Sequence, residues 1–264
     1  NLDNKDDLNI VADFAAYLQK KTEIAIERLV ELNFDKNRPL LLSGGIFSNV
    51  VINGLLNKYK NIFVTPCMGD EGLSVGASIW AAYISGHRRI KSKSIYLGYD
   101  AGKNINVNVD LIAELLHQEK VIGLIEGKME IGPRALGARS ILANPKDENI
   151  NYSINTRLGR VEYMPFAPVI LKEFAHDILE GWSENHLSSK HMTLVYKVRE
   201  KWKKKISGVV HVDGTVRPQI IDEKTNKIYH DILRAYFNVS GIPVLINTSF
   251  NVHGEPMVRT FEDG

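Results

Sequence analysis

The sequence predicts an α/β protein, and three observations predict it. Short apolar runs, Leu40-Leu41-Leu42 and Ile62-Phe63-Val64 among them, end at loops bearing Gly, Pro or Asp. Stretches with helical apolar spacing alternate with those runs. A polar, basic interruption at residues 85–106 separates two such patterns, which places a domain boundary near residue 100.

In the first pattern, Ile10, Phe14, Tyr17, Leu18, Ile24, Ile26, Leu29 and Val30 follow a helical period and predict a helix over 8–32. Pro39-Leu40-Leu41-Leu42 is a short buried strand running into Ser43-Gly44-Gly45, and a helix over 48–59 follows. Ile62–Thr65 is a second strand and Pro66–Gly72 a loop. A helix over 73–84 carries Gly76, Ala77, Ser78, Ala81 and Ala82, small residues suited to close packing. The second pattern predicts helices over 109–118, 146–156 and 226–239. Its strands are 121–125, 166–171, 192–198, 208–212, 219–221 and 243–246, which gives a mixed, twisted sheet with helices.

The chain has 264 residues, 44% hydrophobic and 24% charged, enough for a large core in one or two domains. A net charge of +2 gives no reason to expect nucleic acid or an anionic membrane. The basic run Lys203-Lys204-Lys205 reads as a solvated helix end. Cys67 is the one cysteine, so no intramolecular disulfide forms, which fits a reducing cytoplasm. No apolar run approaches the ~20 residues that span a bilayer, and no signal peptide is read. The chain begins at Asn1, and the expectation is a piece of a longer protein.

The most informative segment is Gly127–Pro145, with Glu130, Gly-Pro-Arg at 132–134, Gly137 and Arg139. Glycines let backbone approach a ligand closely, and arginines offer forked donors to phosphate or carboxylate oxygens. A surface turn with two solvated arginines reads from the same residues. Further segments are Ser43–Asn49, Gly69–Ala77, Ile154–Pro168, His211–Gln219 and Leu245–Pro256. Taken in order, the six resemble the O-carbamoyltransferase family that includes nodulation and antibiotic-tailoring enzymes, across roughly residues 40–260. The resemblance implies the second half of an actin-like (ASKHA) domain at 1–100. A YrdC-like, carbamoyl-adenylate-forming domain at 101–264 follows it.

What the resemblance implies is a two-step enzyme. Carbamoyl phosphate and ATP give carbamoyl-adenylate in the second domain, and the actin-like domain passes the carbamoyl group to a hydroxyl of a small acceptor. Bringing two polyanions together calls for several fixed cations and Mg²⁺. The candidates are Lys128, Arg134, Arg139, Arg157, Arg160 and Arg217, with Thr248, Ser249 and Asn251 as donors to phosphate or carbamoyl oxygens. Taken singly, each is also readable as a solvated charge or a turn residue. Many relatives carry Arg before Pro-Phe-Ala-Pro where this chain has Met164, which puts the assignment of individual arginines in doubt.

In the first domain, Gly44, Gly45 and Asn49 match the segment that lies against adenosine in the family. A strand-to-helix turn needing glycine for geometry alone reads equally well there. Asp70 matches an aspartate that ligates a single divalent metal, iron among the candidates, while a helix cap explains the same residue. The two histidines four residues apart that complete the metal site have no counterpart here, so an incomplete site is expected. His211 and Asp213, read as neighbours on one face of a strand, suggest positioning. The expected partners are carbamoyl phosphate, ATP and a small hydroxylated acceptor, with no membrane, no nucleic acid and a homodimer open. Three other readings stand beside this one: an actin-like kinase, a non-catalytic nucleotide-binding module, and a tRNA-modifying synthase.

Overall fold

The computed structural model describes residues 5–35, 37–59, 62–87, 94–102, 107–159 and 166–264. It is a mixed α/β structure. Helix α1 (Lys5–Asn33) leads into strand β1 (Leu40–Leu42), which pairs in parallel with β2 (Ile62–Val64). Between these strands, a 3₁₀ turn at Gly45–Ser48 precedes the short helix α2 (Val50–Leu56). The helix expected at 48–59 is shorter and starts after Asn49, whose extended backbone caps α2 and whose side chain accepts from the amides of Val51 (3.1 Å) and Ile52 (3.3 Å).

Helix α3 (Gly72–Ile84) has no buried residue, and Leu73, Trp80 and Ile84 on it are exposed. The close packing expected of its small residues is absent, because nothing among the described residues covers it. Strand β3 (Tyr96–Asp100) lies inside the stretch expected to be a boundary and pairs antiparallel with β5 (Lys128–Glu130).

Five strands form the main sheet: β4 (Ile122–Ile125), β6 (Arg139–Ala143), β7 (Ala167–Leu171), β10 (Gln219–Ile221) and β11 (Val244–Ser249). Their order is β10-β7-β11-β6-β4, parallel only between β10 and β7. Helices α4 (Val109–His117) and α8 (Lys227–Ser240) pack on each other, and α8 packs on β7 and β11. Tyr229, Ile232, Leu233 and Tyr236 recur on one face of α8 and are fully buried, as helical spacing requires. Helix α5 (Asn149–Arg157) lies between β6 and β7 in sequence, and the short helices α6 (Ala175–Ile178) and α7 (Glu200–Lys203) follow β7. A two-stranded ribbon joins β8 (Tyr196–Lys197) to β9 (Thr215–Val216).

Three expectations for this half fail. The strand expected at 192–198 is only β8, because Met192 has φ 57°, outside the extended region. The strand expected at 208–212 is a 3₁₀ turn at Ser207–Val209. Strands β5 and β6 fall in a segment read as a loop; β6 is buried throughout yet opens with Arg139 and Ser140, polar residues that hide a core strand from pattern reading. No helix among the described residues is long and apolar enough to cross a membrane.

The two halves touch directly. Asn53 donates to the Thr193 carbonyl (2.9 Å), and the Val64 amide donates to Ser188 Oγ (2.8 Å). At this seam His191 packs edge-on against Phe63, and its buried Nδ1 has no partner. Burial, reinforced by the Lys190 charge, pushes its pKa down to about 4. The imidazole is neutral in the folded chain and protonates near its ordinary value when unfolded. Stability conferred by His191 is therefore complete above about pH 6.5 and falls as pH drops toward 4, by at most about 1.4 kcal/mol per pH unit. Urea midpoints of wild type and His191→Phe measured across pH 4–7 should show a shallower acid limb in the variant.

Candidate functional site

One cavity of about 480 Å³ gathers residues from several of the sequence segments. Its wall includes Arg134, His211, Arg217, Thr248, Ser249 and Asn251. Val50, at the start of α2, lines it from the first half. Among the described residues no Asp or Glu lines it.

The loop at 131–138 is fixed by polar pins before it delivers Arg134. Glu130, 5% exposed at the end of β5, accepts from the amides of Leu136 and Ala138. Gln219 of β10 and Tyr96 of β3 both donate to the Leu136 carbonyl, at 2.8 and 2.7 Å. Asn247 of β11 donates to the Ala135 carbonyl (3.0 Å) and to Gln219 Oε1 (2.8 Å). The loop also presses closely on its surroundings. A Cβ at Gly132 would lie 2.2 Å from the Pro66 carbonyl, and one at Gly137, where φ is 104°, would lie 2.1 Å from the Tyr229 ring.

Arg134 and Arg217 are half-buried cations with no acidic partner among the described residues, and Arg134 Nε is buried without a hydrogen bond. Burial lowers the pKa of both; for Arg217 the Arg134 charge adds to burial and brings it to about 9. Two cations that repel each other in a partly desolvated wall are stabilised by an anion between them.

The other expected residues are placed differently. Arg139 is not in the cavity. Its guanidinium is fully buried and donates to five backbone carbonyls, those of Tyr99, Glu126, Gly127, Ala138 and Arg259. Those bonds occupy its donors, so the anion-binding role expected of it is replaced by a structural one. Lys128 is exposed and lines a different cavity of about 400 Å³, with Asp100, Glu126 and Lys227. Arg157 is exposed on the last turn of α5, outside the lining of the Arg134 cavity. Arg160 and Met164 lie outside the described residues.

In the first half, the Asn49 carbonyl oxygen is taken up by the α2 cap and its amide donates to Gln19 Oε1 (2.7 Å). Its side chain is therefore committed to the fold rather than open to an adenosine. Gly44 and Gly45 are exposed beside open space. Asp70 is exposed, and its side chain makes no cap on α3. No three His, Cys, Asp or Glu side chains converge among the described residues, so the residues present do not form a metal centre.

Sequence reading missed Pro133, Ala135, Phe166, Ala167, Met192 and Asn247 as lining residues. Asn247 sits beside Thr248 in a quoted segment, and its central place on a buried strand was the signal available. His211 and Asp213 do not share a strand face; they lie in the tight turn before β9.

A sequence profile described as the carbamoyltransferase C-terminus matches residues 113–264, and one described as the carbamoyltransferase N-terminus matches 1–79. The chain belongs to the carbamoyltransferase family. An uncharacterised protein of Methanocaldococcus jannaschii is 39% identical over 255 residues, which cover 88% of this chain and 48% of that protein. Nodulation protein NolNO of Sinorhizobium fredii is 32% identical over 277 residues, covering 95% of this chain and 41% of its own. The chain thus spans about half the length of these relatives. A solved structure of full-length HypF in its phosphate- and nucleotide-bound form aligns with 63% of this chain and 20% of that one, at 16% identity and a TM-score of 0.42.

For this carbamoyltransferase-family chain the two arginine classes separate experimentally. Arg139→Gln should destabilise the fold by about 3–5 kcal/mol, since it removes most of the donors that a fully buried side chain gives to backbone carbonyls. Arg134→Gln should leave the urea midpoint unchanged or raise it, because it relieves a repulsion. A stable Arg139→Gln variant with weakened phosphate binding would reverse these roles. Gly137→Ala should cost more than the about 1–3 kcal/mol of backbone strain, because its Cβ would also overlap the buried Tyr229 ring, read in the same denaturation experiment.

Proposed function

We propose that the cavity holding Arg134 and Arg217 binds carbamoyl phosphate and ATP and forms carbamoyl-adenylate, the first half of an O-carbamoyl transfer. The observation that carries this is the pair of half-buried arginines facing a cavity with no acidic lining residue among the described residues. Family membership supplies the carbamoyl group as the moiety transferred.

Water cleaves carbamoyl phosphate to carbamate and inorganic phosphate. A carbamate oxygen then attacks the α-phosphorus of ATP, and pyrophosphate leaves. Arg134 and Arg217 counter the charge that gathers when the two anions meet, and they are in place before the reaction, so little reorganisation is needed. Thr248 and Ser249, at the end of β11, line the same wall and add polar contacts to the phosphates. Mg²⁺ accompanies ATP in this reading. With no carboxylate among the described lining residues, it would be held through phosphate oxygens.

Transfer to a small hydroxylated acceptor belongs to the longer protein in this reading, with the actin-like portion supplying acceptor contacts. The described residues do not by themselves form a metal centre. A cytoplasmic location and a homodimer complete the proposal.

The decisive measurement is carbamoyl-phosphate-dependent exchange of labelled pyrophosphate into ATP by this chain. Exchange is expected in wild type. Arg134→Ala and Arg217→Ala should each weaken carbamoyl phosphate binding about tenfold or more, since a charge-assisted contact contributes about 1.5–3 kcal/mol. Exchange that does not depend on carbamoyl phosphate, or unchanged affinity in both folded variants, would refute the assignment.

A further inference from the structure

Residues 211–215 form a closed turn at the cavity's edge. The His211 amide donates to the Thr215 carbonyl (2.8 Å), and the Gly214 amide donates to the His211 carbonyl (2.9 Å). Inside the turn, Asp213 Oδ1 accepts from both the amide (2.9 Å) and the hydroxyl (2.7 Å) of Thr215. Thr215 Oγ1 lies 3.2 Å from His211 Nδ1.

This chain of contacts fixes a tautomer. Burial works to raise the Asp213 pKa, but the two bonds from Thr215 and the neighbouring His211 hold it below its ordinary value, so it is a carboxylate at neutral pH. A carboxylate only accepts, so the Thr215 hydroxyl hydrogen points at Asp213. Toward His211 that hydroxyl can then only accept. The hydrogen of the neutral imidazole therefore sits on Nδ1, and Nε2 carries the lone pair. Nδ1 is occupied within the turn, so Nε2 is the ring nitrogen left for the cavity that His211 lines. Arg134 and Arg217 can only donate, and a lone-pair acceptor beside them suits a ligand that bears an N–H next to its oxyanion.

We propose that His211 Nε2 accepts a hydrogen bond from the ligand's amide nitrogen and so distinguishes a carbamoyl group from an acyl group of the same size, with Asp213 and Thr215 as positioning residues that hold the tautomer. This rests on the anion-binding reading of the cavity.

The test compares carbamoyl phosphate with acetyl phosphate, in which a methyl replaces the NH₂, by isothermal titration of the whole chain. Wild type at pH 7.5 should favour carbamoyl phosphate about tenfold, the discrimination of one net hydrogen bond. His211→Phe should bring that ratio close to one while changing acetyl phosphate affinity little. Thr215→Val keeps the ring but removes the acceptor for Nδ1–H, and should lower the ratio partway. The groups facing the ring act in opposite senses. Burial lowers the His211 pKa, Asp213 raises it and Arg217 lowers it further, with the net value below the usual 6.5. As pH falls through that range, Nε2 becomes a donor; the ratio should drop while both affinities rise.

A wild-type ratio of one, with both ligands bound, overturns the role of His211 and leaves the anion site standing. An unchanged ratio in folded His211→Phe and Thr215→Val does the same. If neither ligand binds wild type, the anion site itself fails, and this assignment with it.

Discussion

The buried guanidinium of Arg139 is the constraint on which the rest of the second half depends. Its five carbonyl partners belong to the end of β3, the turn between β4 and β5, the residue before β6, and the C-terminal segment at Arg259. No sheet ladder joins all of these; the Ala138 and Gly127 carbonyls also accept from the Glu126 and Ala101 amides, and the guanidinium fills the acceptor capacity that remains. A planar cation with five donors satisfies them from one point. The cost of burying the charge is moderated by Glu130, Asp100 and Glu126, whose charges favour the protonated guanidinium against the effect of burial. Glu130 also holds the amides of the loop that carries Arg134, so one acidic residue links the structural arginine to the exposed edge of the site.

The two arginine environments show how one side chain serves opposite ends. Arg139 is surrounded by acceptors and has its donors occupied. Arg134 and Arg217 have no such acceptors among the described residues; burial lowers the pKa of both, and the Arg134 charge lowers that of Arg217 further. Such an arrangement holds unfavourable electrostatic energy, which an anion bound between the two cations would offset. Rigidity makes this effective: Gln219, Tyr96 and Asn247 hold the loop from three strands, so Arg134 cannot swing away to relieve the repulsion by loop movement alone.

Helix positions and most strand positions were legible in the sequence because burial there follows the expected period, as at Tyr229, Ile232, Leu233 and Tyr236. Strand β6 was not, because Arg139 and Ser140 occupy buried sites where the pattern calls for apolar residues; Ser140 is there to accept from the Gly137 amide (2.9 Å). The motif containing both arginines was legible as important, but not which arginine was free. That difference depends on carbonyls as distant in sequence as Arg259. Asn49 illustrates the converse: its position at a helix start was correctly read, and the side chain is spent on that very cap. Asn247 was overlooked because its amide works through neighbours, holding Ala135 and Gln219 rather than presenting a charge.

The cavity is also not the property of one half alone. The loop that carries Arg134 passes Pro66 so closely that Gly132 leaves no room for a side chain, and Val50 of α2 contributes to the wall. Pro66 lies two residues past the end of β2, which pairs with β1 and whose Val64 amide is bonded to Ser188. The position of Arg134 is thus set from both sides of the seam: by strand residues of the main sheet and by backbone that the first half supplies. A second half separated from the first would keep Glu130, Gln219 and Asn247 but lose the surface against which the loop rests. The arginine pair and its spacing are a property of the assembled chain, which is why binding and exchange belong on the whole of it rather than on residues 101–264 alone.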